Sequence, residues 1–360
     1  MRQYIFKRLL MLIPVLFFVS FGVFALMRFI PGDAALLMVA GGEDALSDPA
    51  VAEALRHKLG LDKPAFPVTV QLPRFERDKL DKERPPIVEV GPVKVWWNPK
   101  VEASLVDNQY VQWIWAIISR GDLGKSFWTE EPVMSEILKR LPVTLELAIG
   151  AMVITVLVAI PTGVISAIRQ DTGTDYASRL IGVIGIAAPG FWIGTLLIVF
   201  PAIWWGYLPP LGYVEPWVDP WSNFRQFIFP CLALGFGHAA ANMRMTRSQM
   251  LEVLRQDYIR TAWAKGLRER IVIFRHALRN AMIPVLTLLG IDFGRLLGRT
   301  VIMETVFALP GVGTLTLRSI FQRDYPQIQG NVLFIAFLFV AINLVVDVAY
   351  AWFDPRIRYS

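Results

Sequence analysis

The chain has 360 residues, 54% of them hydrophobic and only 18% charged, with a mean hydropathy of +0.46. That is too apolar for a water-soluble protein of this size and places the chain in a lipid bilayer. The net charge of +6 does not point to nucleic acid, because residues 244–279 hold nine Lys/Arg against Glu252, Asp257 and Glu269, an excess equal to that of the whole chain. Positive charge gathered between two apolar runs marks a cytoplasmic loop.

Met1 to Arg8 is basic and precedes an apolar run, as in a signal peptide. The run is long enough to cross a bilayer and no small-residue cleavage site follows, so a retained first span is expected. Six runs, 9–30, 143–168, 180–206, 226–247, 280–304 and 329–353, each come near the ~20 residues that a crossing helix needs. Arg2, Lys7 and Arg8 hold the first end in the cytoplasm. An even count of spans returns residues 354–360, with Arg356 and Arg358, to the same side, along with Arg169, Arg179 and 255–284.

Residues 31–142, between the first two spans, are too polar to cross and are expected outside the cell. Ser47-Asp48-Pro49 caps a helix that Gly60 closes, and Tyr110 to Ile118 is aromatic and apolar enough to lie at the membrane surface. Between them, 67–105 alternates as strands do: Val68, Val70 and Leu72, then 87–90, a Gly91-Pro92 turn, and 93–97. This β-rich insert either docks an external partner or is a solvated decoration. Gly124-Lys125-Ser126 ends like a phosphate-binding loop, but that motif needs a glycine where Ser119 stands, so no ATP site is expected.

Pro161 and Gly163 can bend the second span, and the small residues of Ile186-Ala-Ala-Pro-Gly-Phe-Trp-Ile-Gly194 favour close helix packing over binding. Trp204, Trp205, Tyr207, Trp217 and Trp221 read as an interfacial aromatic belt. Arg244 and Arg247, at the inner end of the fourth span, are expected to snorkel to head groups. In the fifth span Asp292, Arg295 and Arg299 stand at i, i+3 and i+7 on one stripe. Ionisable groups at that depth face protein or water, so the stripe lines a translocation pathway or makes a salt bridge with Asp347 or with a sister subunit. Cys231 is the single cysteine, and His57, His238 and His276 are scattered, so neither a disulfide framework nor a metal site is expected.

The most charged element is 255–284. Leu254, Tyr258, Thr261 and Ala262 recur at helical spacing up to Gly266, and Leu267, Ile271, Phe274 and Leu278 restart the period. Two short amphipathic helices with a glycine elbow are expected, either to slot into a partner's groove or to form an ordinary basic loop.

Arg260-Thr261-Ala262-Trp263-Ala264-Lys265-Gly266 resembles the EAA loop of bacterial ABC-importer permeases, with Arg260 and Thr261 standing where Glu and Ala are usual. Further blocks are similar to the peptide/nickel branch, the dipeptide and oligopeptide permease B-type subunits. They are YIFKRLLMLIP with Arg28-Phe-Ile-Pro-Gly-Asp33, Gly121-Asp-Leu-Gly-Lys-Ser126, Leu141-Pro-Val-Thr-Leu-Glu-Leu147, His276-Ala-Leu-Arg-Asn-Ala-Met-Ile-Pro284 and Asp354-Pro-Arg-Ile-Arg-Tyr359. The insert departs from that family, in which this loop is usually shorter, and so do the charges at 292, 295 and 299.

The resemblance implies an all-α membrane protein with the six-helix type I ABC-importer permease fold, carrying the β-rich external insert between helices 1 and 2. The core would span 143–353 and include a cytoplasmic coupling element, 255–280. Tyr258, Arg260, Thr261, Ala262, Lys265, Gly266 and Leu267 would meet the ATPase. Glu304, Arg323, Asp324 and Tyr325, in family-like blocks, would sit at the external gate or binding-protein contact, or serve as structural turns. The partners implied are a second, C-type permease, two ABC ATPases that use ATP and Mg, an extracytoplasmic solute-binding protein and the lipid bilayer, with no nucleic acid and no cofactor on this chain. The expected cargo is di- or oligopeptides, with nickel or another small solute as the alternative, and the location is the bacterial inner membrane with both termini cytoplasmic. Rival readings are an ion-coupled carrier, which should show inverted repeats, and a membrane enzyme, which should show a convergent catalytic set.

Overall fold

The computed structural model describes residues 2–29, 49–61, 63, 66, 68–71, 88–90, 93–95, 100–103 and 108–353. The expected Arg28-to-Asp33 exit (from residue 30 on), the Ser47-Asp48 cap, the Gly91-Pro92 turn and the tail 354–360 lie outside the described residues, as does the side chain of Asp347. The elements run α1 (Arg2–Phe29), α2 (Pro49–Lys58), β1 (Val68–Gln71), β2 (Val88–Val90), β3 (Val93–Val95), β4 (Lys100–Ala103), α3 (Gln109–Arg120), α4 (Val133–Ile168), α5 (Gly173–Ala187) and α6 (Gly190–Trp205). They continue with α7 (Pro220–Leu254), α8 (Asp257–Ala264), a π-helical stretch (Ile271–Leu278), α9 (Arg279–Val306), α10 (Val312–Gln322) and α11 (Tyr325–Phe353). The fold is mostly helical and divides into two compact units.

The larger unit takes Met1–Ser20, Ser135–Phe321 and Asn331–Ser360. Its core joins Val143, Leu147 and Ala151 of α4, Phe227, Cys231 and Leu234 of α7, and Leu296, Leu297 and Met303 of α9. Small residues let the helices come this close. A Cβ on Gly163 would stand 2.6 Å from Thr246 Cβ, and one on Gly235 would stand 2.7 Å from the Ala151 carbonyl oxygen. The opposite face of α4 exposes Ile149, Val153 and Leu157, the apolar surface that lipid tails accept.

Four helical stretches are long and apolar enough to cross a membrane, at Leu10–Met27, Val133–Ile168, Ile271–Val306 and Tyr325–Val346; a bent pair, Gly173–Ala187 with Gly190–Trp205, makes a fifth. The expected straight span 180–206 is therefore broken. Its two halves meet at 102° around Ala188 and Pro189, where proline lacks the amide that would continue the helix. The expected span 226–247 lies within α7, which falls short of that apolar standard. Asn223, Gln226, His238, Asn242 and Thr246 are buried along it, so α7 hides polar groups in protein rather than presenting an apolar surface to lipid.

The second amphipathic helix expected after Gly266 is not separate. The π-helical stretch runs straight into α9, and Ile271–Val306 is one 36-residue rod.

Arg247 does not snorkel. Its Nε donates to Asp175 Oδ1 and its Nη2 to Asp175 Oδ2, both at 2.8 Å, while the Ser166 hydroxyl and the Asp171 amide donate to the same carboxylate. Arg179 adds a third cationic contact at 3.2 Å, and Asp175 is fully buried. This cluster fastens the start of α5 to α7. Removing one partner of a buried pair strands the other charge, at a cost of about 3–5 kcal/mol. Arg247→Ala should therefore lower the melting temperature of the purified protein sharply, and Asp175→Asn combined with Arg247→Gln should recover most of the loss. A single variant that melts like the wild type would contradict the buried-pair account.

The smaller unit takes Phe21–Met134 and Gln322–Gly330. Its strands form two antiparallel pairs, β1 with β4 (Val68 opposite Ala103) and β2 with β3 (Val90 opposite Val93). Helix α2 is followed by Gly60 at φ +67, and α3 is capped by Asn108, whose side chain accepts from the Val111 amide. Phe21, Phe24, Phe66 and Tyr110 make an aromatic cluster. Asp324 is buried and accepts hydrogen bonds from the Ser126 hydroxyl and the Phe127 amide, so Gly124-Lys125-Ser126 is a structural tie and not a phosphate cradle.

Burial pushes the Asp324 carboxyl above its ordinary value, against the lowering effect of those hydrogen bonds. The native state then binds the proton more tightly than the unfolded chain, so stability from this residue grows as pH falls through its folded pKa and shrinks as pH rises. Asp324→Asn should flatten that part of the stability profile, which thermal unfolding across the acid range measures.

Candidate functional site

Two features of the larger unit can carry function: a cleft among α5, α6, α7 and α9, and the surface of α8.

The cleft has a volume of about 560 Å³. The break between α5 and α6 opens it, because Ile186, Ala188, Pro189 and Phe191 line it where a continuous helix would have closed the wall. The expected stripe on α9 is there in full: Asp292, Arg295 and Arg299 all line the cleft, joined by His238 and Arg244 of α7. Asp292 is buried. Its Oδ2 accepts from Asn242 Nδ2 at 2.8 Å and lies 3.8 Å from His238 Nδ1, while its Oδ1 lies 3.7 Å from the Arg295 guanidinium. The Asp292–Arg295 contact is thus long, and the stronger tie of Asp292 is to Asn242. The sequence pattern gave His238 only as a scattered histidine and did not single out Asn242, although two polar residues at i, i+4 within an apolar run mark a buried face. Among the described residues there is no group of His, Cys, Asp and Glu that could hold a metal.

The Ile186–Gly194 block does both jobs. Gly194 packs against Phe307, with a Cβ there meeting its ring at 3.2 Å, while Pro189 and Phe191 face the cleft.

Helix α8 buries two apolar side chains. Ile259 and Ala262 are buried against Met250, Val272 and Ile273. The remaining expected coupling residues, Tyr258, Arg260, Thr261, Lys265 and Gly266, are exposed, with Leu267 half-buried and Trp263 exposed beside them. Gly266 has φ +72, which ends the helix and turns the chain toward the rod. Asn280 at the foot of α9 donates to the Tyr258 hydroxyl at 2.9 Å, tying the two elements together.

The residues expected at an external gate stand differently. Glu304 is fully buried: its carboxylate accepts from the Thr144 hydroxyl at 2.8 Å and the Thr314 amide at 2.9 Å, and Gly311 and Gly313 leave room for it. Asp324 and Tyr325 are buried too, and Arg323 occupies a left-handed turn at φ 55. Glu304, Asp324 and Tyr325 thus offer little surface in the single chain. Trp204, Trp205, Trp217 and Trp221 are exposed, as interfacial aromatics are.

Residues 159–359 match the family described as the binding-protein-dependent transport system inner membrane component. Over the whole of both chains, this chain is 38% identical to a putative peptide transport system permease protein of Brucella abortus. It is 36% identical to a dipeptide transport system permease protein of Alkalihalophilus pseudofirmus and 39% identical to a glutathione transport system permease protein of Escherichia coli, again over the whole of both. Among solved structures, an inward-facing form of the MetNI methionine ABC transporter aligns with 62% of this chain and 99% of its own, with a TM-score of 0.50 and 18% identity, a likeness of fold alone. The chain belongs to the binding-protein-dependent inner membrane permeases and is a permease subunit of an ABC importer.

Proposed function

We propose that this subunit imports di- or oligopeptides, delivered by an extracytoplasmic binding protein and driven by two ATPases, with a second permease completing the pore. The observation that carries the energy-coupling half is α8: a helix anchored by Ile259 and Ala262, with Tyr258, Arg260, Thr261 and Trp263 turned outward. A short helix fixed on one side and polar and aromatic on the other suits the groove of a partner protein. ATP and Mg are used by the partner ATPases. The cargo class rests on full-length relatives named for peptide, dipeptide and glutathione transport.

In this reading α7 is the fourth span and completes the count of six, with both chain ends and α8 on the cytoplasmic side and the strand pairs outside. Residues 67–105 are then an external insert placed to touch the binding protein. ATP binding draws the ATPases together, α8 moves with them, and the rod that Tyr258 and Asn280 fasten to it shifts the wall of the cleft. The cleft residues Asp292, Arg295 and Arg299 line the translocation pathway, and selectivity lies mainly in the binding protein.

The first test is to tag the chain, extract it gently from its native membrane and identify what accompanies it. Recovery of an ATPase and a second permease supports the reading, and a chain that purifies alone defeats it. A second test isolates the elbow. A Cβ at Gly266 would meet nothing within 4 Å, so a substitution there is penalised by backbone conformation and not by a clash. The left-handed conformation costs a non-glycine residue roughly 1–2 kcal/mol, less for asparagine. Gly266→Val should therefore reduce binding-protein-stimulated ATP hydrolysis several-fold, while Gly266→Asn should keep most of it.

A further inference from the structure

We propose that the cleft is a binding site for an anionic solute, with Arg295 and Arg299 as the groups that receive its carboxylates. The inference rests on the reading of the cleft as part of the import pathway and adds the chemical class of what passes.

The charges on the walls are unequal. Arg244, Arg295 and Arg299 line the cleft against one carboxylate, Asp292. That carboxylate is largely engaged, since Asn242 holds one of its oxygens at 2.8 Å and His238 lies beside the same oxygen. Only the other oxygen faces Arg295, and at 3.7 Å it leaves the guanidinium most of its hydrogen-bonding capacity; the Arg295 side chain is 61% exposed. Arg244 and Arg299 are exposed and have no ion-pair partner among the described residues. Arg295 and Arg299 are also four residues apart on one helix, where like charges repel.

Two adjacent guanidinium groups within a membrane-spanning bundle are costly unless water or an anion meets them. The planar guanidinium takes a carboxylate through two parallel hydrogen bonds, so each arginine can receive one end of a solute carrying more than one carboxylate. His238 adds a polar contact: it is buried, it lines the cleft, and its Nε2 has no hydrogen-bond partner. Pro189, Phe191, Ile302 and Met303 provide the apolar remainder. A volume of about 560 Å³ falls within the ~300–1,000 Å³ range of small-molecule sites. The cleft therefore favours short acidic peptides over neutral or basic ones.

The test uses the intact importer complex in lipid nanodiscs, without its binding protein, so that only the membrane part is read. Binding of tri-glutamate, tri-alanine and tri-lysine is measured by saturation-transfer NMR at two salt concentrations. Tri-glutamate should bind at least tenfold more tightly than the others, more weakly at high salt. The preference should fall to within twofold in Arg295→Gln/Arg299→Gln and return in Arg295→Lys/Arg299→Lys. Equal binding of the three peptides to the wild type, or a preference that survives the double glutamine variant, overturns the proposal. So does the absence of binding with cross-links from position 299 to an acidic residue of the second permease. ATP-driven peptide import by the same complex with its binding protein is measured in parallel. If import proceeds while the preference is missing, the anion assignment alone has failed; if no import occurs, the importer reading has failed with it.

Discussion

A buried charge must find in the protein the hydrogen bonds that water no longer supplies, and this constraint decides how the buried acids of the larger unit are arranged. Asp175, Asp292 and Glu304 are each buried, and each is met by groups from a different helix: Arg247 and Ser166 for the first, Asn242 and His238 for the second, Thr144 and Thr314 for the third. The acids act as rivets between helices that would otherwise have only packing to hold them in register. The ties between residues distant in sequence also define which helices are neighbours, α5 with α7, α7 with α9, and α9 with α4, while Thr314 joins α9 to the first turn of α10.

Much of the plan was legible beforehand. Long apolar runs announce crossing helices whatever they pack against, so 143–168, 280–304, 329–353 and the described part of 9–30 each fall within a helix. Gly266 and Gly60 could be placed because a left-handed residue after a helix has a local cause. The bend at 188–189 was harder, since Ala188-Pro189-Gly190 lies within otherwise uninterrupted apolar sequence and hydropathy does not register a change of direction. The fusion of the segment after Gly266 with α9 was hidden too, because the π-helical stretch Ile271–Leu278 that joins them departs from the α-helical period.

The site was half legible. Spacing alone put Asp292, Arg295 and Arg299 on one stripe, and that stripe does face the cleft. Their partners could not be read, because Asn242 and His238 stand 50 or more residues away and nothing local distinguishes them from other polar residues in α7. The surroundings of Glu304 were hidden for another reason: a glycine pair reads as a turn, and nothing local shows that Gly311 and Gly313 leave room for a carboxylate from α9. Arg247 shows the same ambiguity: a basic residue near the end of a helix can reach outward or inward, and only the presence of Asp175 decides it.

The 36-residue rod Ile271–Val306 has a mechanical consequence. At 1.5 Å per residue its helical length is about 54 Å. The π-helical stretch at its foot and Pro284 within it are the points where the regular α-helical ladder is interrupted. Asn280, which meets Tyr258, and Arg295 and Arg299, which line the cleft, are carried by this one element, so in the proposed mechanism a displacement at the foot of the rod reaches both arginines together.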